Sequence, residues 1–443
     1  MAETAASEAP PEQEERGRGY GAGARILSVG IALTGVVTFA YFSLASFGLT
    51  ADEYSRISLM WSVLFVTVTV LYRPIEQLLS RTIAERRALG HGDHPLREPF
   101  LIQMGFALLF LIAALALRGP IEDELLDGSS SLYWILIGAV LAYAASYFAR
   151  GWLAGHQRFE LYGGLVFLEA TTRVIFALAV VVGLASGQTA VAFGMLAAPC
   201  VSLIVVPLAF SRNDPPASQG EVKEAEGGLS LRHGLGFAAA VFVVMLAEQT
   251  LINGAVITVD ITSGDAALAG IVFSILLIAR APLQLFQAIQ GSLLPHLAGL
   301  NATEDGGEFS KAIRVTILAI AAFAGAVAIG LFALGPFLMN LVFNLDYDWS
   351  RVGLGIVALG MGLHLAGGTL NQAALARGHA REASIAWAVV GVAFVAWMFS
   401  PVIDDEVLRA EVGYAVAAAL LCGLLTWVYH LRPDPQAAAD PSA

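Results

Sequence analysis

Charge is scarce in this 443-residue chain: Asp, Glu, Lys and Arg together make up 14% of it, against roughly 25% in a typical soluble domain. Cysteine is scarcer still. The two present, Cys200 and Cys422, sit far apart in apolar runs, which excludes a disulfide framework and a thiolate metal site. No stretch alternates apolar and polar residues as a half-buried strand would. The GSLLPHL and GxG fragments lack the strand-to-helix setting of a phosphate loop. Without a nucleotide-binding module, ATP cannot power work within this chain. Extended loops between apolar runs are missing on one side: the largest there, Asn344 to Arg351 with its flanks, is too short for an active site. No catalytic residues, cofactor or metal ligands are expected.

What is present is hydrophobic. Apolar residues are 57% of the sequence and the mean hydropathy is +0.72. Twelve runs are long enough to cross a bilayer, each about 20 residues. They lie near 26–49, 56–78, 99–118, 131–150, 161–185, 188–210, 235–258, 266–291, 312–335, 352–375, 382–402 and 409–431. The expectation is an all-α integral membrane protein of about 12 transmembrane helices.

Eighteen of the 24 Lys and Arg fall in or beside alternate connections, among them Arg73, Arg81, Arg150, Arg158, Lys223, Arg377 and Arg381. The opposite side holds four: Arg56, Arg118, Arg351 and Arg409. Arg173 and Arg280 lie inside spans. Cytoplasmic loops carry the excess of cations, so both termini are expected in the cytoplasm of a multi-pass protein of the cytoplasmic membrane. The net charge of −12 excludes nucleic acid as a partner. Residues 1–24 and 432–443 read as disordered cytoplasmic tails. A Pro-, Gly- and charge-rich linker at 211–233 divides an N-lobe (25–210, spans one to six) from a C-lobe (234–431, spans seven to twelve).

The halves resemble one another. Gly155-His156-Gln157-Arg158 after span four has a counterpart in Gly378-His379-Ala380-Arg381 after span ten. Arg73, Gln77 and Ser80 of span two match Arg280, Gln284 and Gln287 of span eight at a constant offset of 207. Six spans per half is an even number, so the copies insert in parallel as two pseudo-symmetric lobes around a central cavity. These two stripes are the candidate cargo site, each with residues at helical spacing on one face. Guanidinium groups suit an anionic head group and amides suit sugar hydroxyls; a polar contact between helices is the competing reading. Glu169 and Arg173, spaced i, i+4, are expected to pair within span five. Glu248, with Asn253 on the same face of span seven, has no cation in its own span and is the candidate protonation site. His364 and Asn371 in span ten read as satisfied polar contacts.

The runs YFARGWLAGHQRFELYGGLVFLEA (147–170) and ARAPLQLFQAIQGSLLPHLAGL (279–300) resemble the polysaccharide flippase branch of the multidrug/oligosaccharidyl-lipid/polysaccharide (MOP) exporter superfamily. The likeness runs from about residue 25 to 431. It implies two six-helix lobes that move a polyprenyl-pyrophosphate-linked oligosaccharide across the membrane by alternating access, in polysaccharide biosynthesis. Its implied partners are the lipid-linked glycan, membrane lipids and polysaccharide-assembly proteins. The sequence departs from siblings of that branch in having no charged residue from Ile26 to Leu49. A cation-coupled exporter of amphiphilic small molecules is the alternative, and a membrane glycosyltransferase or polymer ligase the more distant one.

Overall fold

A computed structural model of the chain describes residues 30, 33–88, 96–207, 231–263, 265, 267–278 and 306–430. The two tails, the linker through residue 230, and Arg280, Gln284 and Gln287 lie outside the described residues. Within them there is no strand; besides a single π-helical turn at Pro120–Leu125, the α-helices numbered here follow in order. These are α1 (Leu33–Gly48), α2 (Ala51–Ala88), α3 (Arg97–Ala116), α4 (Ser130–Gly155), α5 (Phe159–Val181) and α6 (Gly187–Ser202). They continue as α7 (Leu231–Thr262), α8 (Leu268–Ile278), α9 (Gly306–Val342), α10 (Arg351–Ala376), α11 (Ala380–Met398) and α12 (Glu406–Tyr429). Ten contain a stretch long and apolar enough to cross a membrane; α1 and α8 are shorter in their described parts. Outward-facing Leu, Ile, Val and Phe on α3 and α9 are exposed, as a surface solvated by lipid requires.

Local chemistry fixes the helix ends. Thr50 and Glu53 form a reciprocal capping box at the start of α2. Ser129 accepts from Leu132 N to begin α4, and Ser350 accepts from Gly353 N to begin α10. Helices also run past the apolar limits. The run 56–78 belongs to a helix reaching from Ala51 to Ala88, and α4 ends at Gly155 rather than 150. Hydropathy stops at the first charge, whereas backbone hydrogen bonding continues wherever a neighbour accepts that charge.

The two lobes repeat each other's packing. α4 packs on α3 and α6 and α5 on α6; correspondingly, α10 packs on α9 and α12 and α11 on α12. α4 and α10 are each 26 residues long, and each follows a Ser cap. Each ends in a Schellman turn: Arg158 N donates to Leu153 O and Gln157 N to Ala154 O, while His379 N donates to Ala374 O and Gly378 N to Leu375 O. This pairing corrects the sequence correspondence of the two loops. Gln157 (φ 57°) and Gly378 (φ 82°) hold the same left-handed position, so the matched Gly-His pairs stand two residues out of structural register. The turn is conserved in geometry because the chain must reverse there, not because His occupies one place in it.

A seam joins the lobes at the end where α1 gives way to α2. Tyr54 and Ser274 share a hydrogen bond at 2.8 Å, and Gly270 N donates to Ser55 Oγ at 3.0 Å. Ser43 Oγ donates to Val342 O, and Asn344 N donates to Ser46 Oγ. Phe42 packs against Phe273 with ring centroids 4.4 Å apart.

Gln157 is exposed and holds a left-handed backbone that costs a side-chain-bearing residue roughly 1–2 kcal/mol. Gln157→Gly is therefore expected to raise thermal stability in detergent by about 1 kcal/mol, measured by unfolding. An unchanged or lower melting temperature contradicts this account of the turn.

Candidate functional site

α2 and α4 approach closely because Gly151 and Gly155 face α2 one turn apart. A Cβ at Gly151 would stand 2.9 Å from Glu76 O, and one at Gly155 would stand 2.6 Å from the Ile83 Cβ. Small residues at this spacing let helix backbones meet inside a membrane. The contact brings the charged turn of α2, Arg73 and Glu76, beside Arg150 of α4. A cavity of ≈260 Å³ opens there between the lobes, lined from α1, α2, α4, α5, α7 and α8. Its polar walls are Thr34, Thr38, Thr69, Arg73, Glu76, Arg150, Glu169, Arg173, Gln249 and Asn253, with Trp61, Phe65, Tyr147 and Tyr162 as aromatic surfaces.

The charges are arranged in layers. Arg150 pairs with Glu169 across α4 and α5, both buried, and Glu169 also accepts from Ser146 and Ser202. Arg150 lies 4.6 Å from the Tyr147 ring centroid, and Arg173 lies 5.0 Å from that of Trp61, both within cation–π range. Arg173 donates to Tyr143 Oη at 2.6 Å. Tyr162 donates to Glu76 at 2.7 Å. Arg73 interacts electrostatically with Glu248 of the other lobe as well as with Glu76. The Nε donors of Arg150 and Arg173 are buried and have no hydrogen-bond partner among the described residues.

Several expectations change. Glu169 and Arg173 do not pair within α5: Arg150 comes close enough from α4 to take both the carboxylate and the burial cost, and Arg173 turns into an aromatic box. Arg150, read from sequence as the last residue of span four and counted with the connection that follows, lies inside the helix and in the cavity. Glu248 is not a lone carboxylate, since Arg73 reaches it electrostatically from α2. Of the stripe on α2, Arg73 lines the cavity, but Gln77 is exposed and Ser80 packs its carbonyl against Gly155. Each four-residue step turns about 40° around a helix, so the stripe through Trp61, Phe65, Thr69 and Arg73 has rotated out of the cavity by Gln77, while Glu76 remains in it. Asn253 lines the wall and donates to Gln249 Oε1 at 3.0 Å. Sequence reading had Glu76 on the flank of the span-two stripe but missed Arg150, Tyr147, Tyr162 and Trp61 as cavity residues. The signal existed: Tyr143, Tyr147 and Arg150 repeat at i, i+4 and i+7 on α4.

His364 and Asn371 are satisfied as expected, through Tyr414 and Trp387 respectively. A larger cavity of ≈680 Å³ lies on the outer side of α3, α4 and α6. Its walls are almost wholly carbon, so it holds none of this chemistry. Among the described residues no group of three or more His, Cys, Asp or Glu could hold a metal ion.

No family model matches the chain. An uncharacterized protein of Mycobacterium bovis is 26% identical over 415 residues, covering 90% of this chain and 88% of the relative. An inward-facing multidrug resistance MATE family transporter of the MOP superfamily superposes with a TM-score of 0.69 at 12% identity, covering 94% of this chain and 99% of that one. A MOP superfamily transporter from Pyrococcus furiosus, described as having a binding pocket of reverse polarity that suggests a different function, superposes with a TM-score of 0.62 at 13% identity, over 92% and 94% of the two chains. The fold is that of MATE transporters of this superfamily.

Removing one partner of a buried ion pair strands the other charge, at a cost of about 3–5 kcal/mol. Arg150→Leu alone is thus expected to lower thermal stability more than Arg150→Leu combined with Glu169→Leu. Equal losses in single and double variants would show that the pair is not energetically coupled.

Proposed function

We propose that this chain is a flippase, moving a polyprenyl-pyrophosphate-linked oligosaccharide from the cytoplasmic to the outer leaflet by alternating access. The observation that carries the reading is the cavity between the lobes, where Arg73, Arg150 and Arg173 converge within apolar spans. Burying Arg150 and Arg173 there, with Arg73 half-buried beside them, is expensive, and such groups inside a membrane mark substrate paths. Two buried Nε donors without partners suit phosphate oxygens, which accept bidentate bonds from arginine. The threonines, Gln249 and Asn253 offer hydrogen bonds to sugar hydroxyls, and Trp61 and Tyr147 offer flat faces for sugar rings.

The cavity volume of ≈260 Å³ falls below the usual range for ligand sites, roughly 300–1,000 Å³. It accommodates a head group and not a whole glycan, so loading requires the lobes to part. The seam through Tyr54, Ser55, Ser43 and Ser46 closes one end of the bundle, and the excess of Lys and Arg places the opposite end in the cytoplasm. Opening toward the cytoplasm suits a cargo assembled there. Arg73 and Glu248 face each other across the lobes, a contact that an anionic head group competes for.

The second reading is a cation-coupled exporter of amphiphilic small molecules. It is favoured by Glu76 and Glu169 in the same cavity, by Glu248 interacting with its Arg73, and by the likeness to a multidrug MATE transporter. Membrane vesicles given a labelled polyprenyl-linked glycan separate the two, alongside drug accumulation in cells with and without the protein. Losing one charged contact is worth about 1.5–3 kcal/mol, so Arg73→Ala is expected to slow glycan flipping roughly ten- to hundredfold, and Arg280→Ala to slow it as well. Normal flipping in both variants overturns the assignment of these arginines. Sugar transfer by the purified protein would instead make it an enzyme.

Alternating access gives a second outcome. In a background with Cys200 and Cys422 replaced, cysteines at positions 46 and 344 are expected to cross-link across the seam and abolish transport until reduced. Full transport by the cross-linked protein contradicts an opening at that end.

A further inference from the structure

With Glu169 engaged by Arg150, Glu76 by Tyr162, and Glu248 by Arg73, one deeply buried carboxylate remains unaccounted for. Glu411, in the second turn of α12, is 3% exposed and takes no ion pair or hydrogen bond among the described residues. The cations near it are committed elsewhere: Arg409 pairs with Glu406 and donates to Ser400 O and Ile403 O, while Arg351 is exposed and reaches Ala333 O. The carboxylate lies against the first turn of α10, where a Cβ at Gly353 would collide with its oxygens. Glycine there permits the approach, and the open N–H groups of a helix start favour an anion. Against this, a charge without a counter-charge is costly to bury, and further negative groups surround it.

Those groups come from the neighbouring elements. Asp405 caps α12 itself, and Tyr347 and Asp348 belong to the connection between α9 and α10. α11 contributes Trp397 at this level, and α7 carries half-buried Asp260 in its last turn. Burial, together with the charges of Asp405, Glu411 and Asp348, pushes the Tyr347 hydroxyl up to about 12. Tyr414 stands one turn along α12 and meets buried His364 of α10 at 3.4 Å, so polar groups continue from Glu411 toward the middle of the C-lobe.

We infer that Glu411 is a proton-binding site at the far end of the C-lobe from the cargo cavity, loaded from the side that carries the acidic connections Asp346, Asp348, Asp404 and Asp405. Helix start and acidic surroundings pull the carboxyl in opposite directions, so binding or losing one proton is a small change locally. That change is felt at the contact of α10 with α12, two helices that do not line the cargo cavity. A proton bound there would bias the packing of the C-lobe. This rests on the reading of the chain as a transporter, but on no particular cargo.

The test therefore uses purified protein in lipid with no cargo. Infrared difference spectra between acid and alkaline buffer are expected to contain, beside the bands of the exposed carboxyls, a component from a buried protonated carboxyl in the wild type that is missing in Glu411→Gln. Glu411→Asp, which keeps a carboxyl, is expected to retain that component at a shifted frequency; it serves also should Glu411→Gln fail to fold. Identical spectra in wild type and Glu411→Gln, or no such component in Glu411→Asp, overturn the proposal. Loss of the wild-type component at acid pH on adding sodium also overturns it, in favour of a metal cation. Because cargo is absent, failed glycan flipping leaves this result interpretable, and a negative spectrum leaves the cargo reading standing.

Discussion

Arg150 and Glu169 meet where neither charge could stand alone, between two helices inside an apolar bundle. Their pairing sets how α4 and α5 face one another. Ser146 and Ser202 complete the carboxylate's hydrogen bonds, which ties α6 into the same arrangement. The glycines one turn on, Gly151 and Gly155, then allow α2 to lie against α4, carrying Arg73 and Glu76 to the rim of the same space. A buried pair of this kind contributes little net stability compared with apolar residues. What it contributes is position: three arginines and two carboxylates, Glu76 and Glu169, are held around one cavity.

The C-lobe repeats the scaffold without repeating the chemistry. α4 and α10 share their length, serine cap and closing turn, yet α10 presents His364 and Asn371 where α4 presents Tyr143, Tyr147 and Arg150. The C-lobe's own buried carboxylate, Glu411, sits far from the cavity at the start of α12. The two lobes thus share one architecture and carry different buried charges, and hydroxyl contacts join them at the seam.

Length, hydropathy and the asymmetry of Lys and Arg sufficed for the all-helical class, the helix order and the division into halves. These properties depend on composition over windows of about twenty residues, and a bilayer imposes that length on any chain that crosses it. Which polar residues face one another was only partly legible. Arg73 and Asn253 were placed on the cavity side by helical spacing. Gln77 and Ser80 share the spacing and turn away, because an α-helix drifts from any four-residue repeat. Arg150 was read as the last residue of its span because hydropathy ends a span at a charge, whereas the helix continues to Gly155.

Sequence by itself thus determined that the chain is a bundle of membrane-crossing helices in two related halves, since backbone hydrogen bonds and apolar faces must be satisfied locally in lipid. Only the tertiary structure decided the partners of the buried charges. Glu169 could have turned to Arg173 on its own helix and Glu248 could have stood alone. The approach of α4 to α5, and of α2 to α7, chose otherwise, because a buried charge takes whichever counter-charge the packing brings nearest.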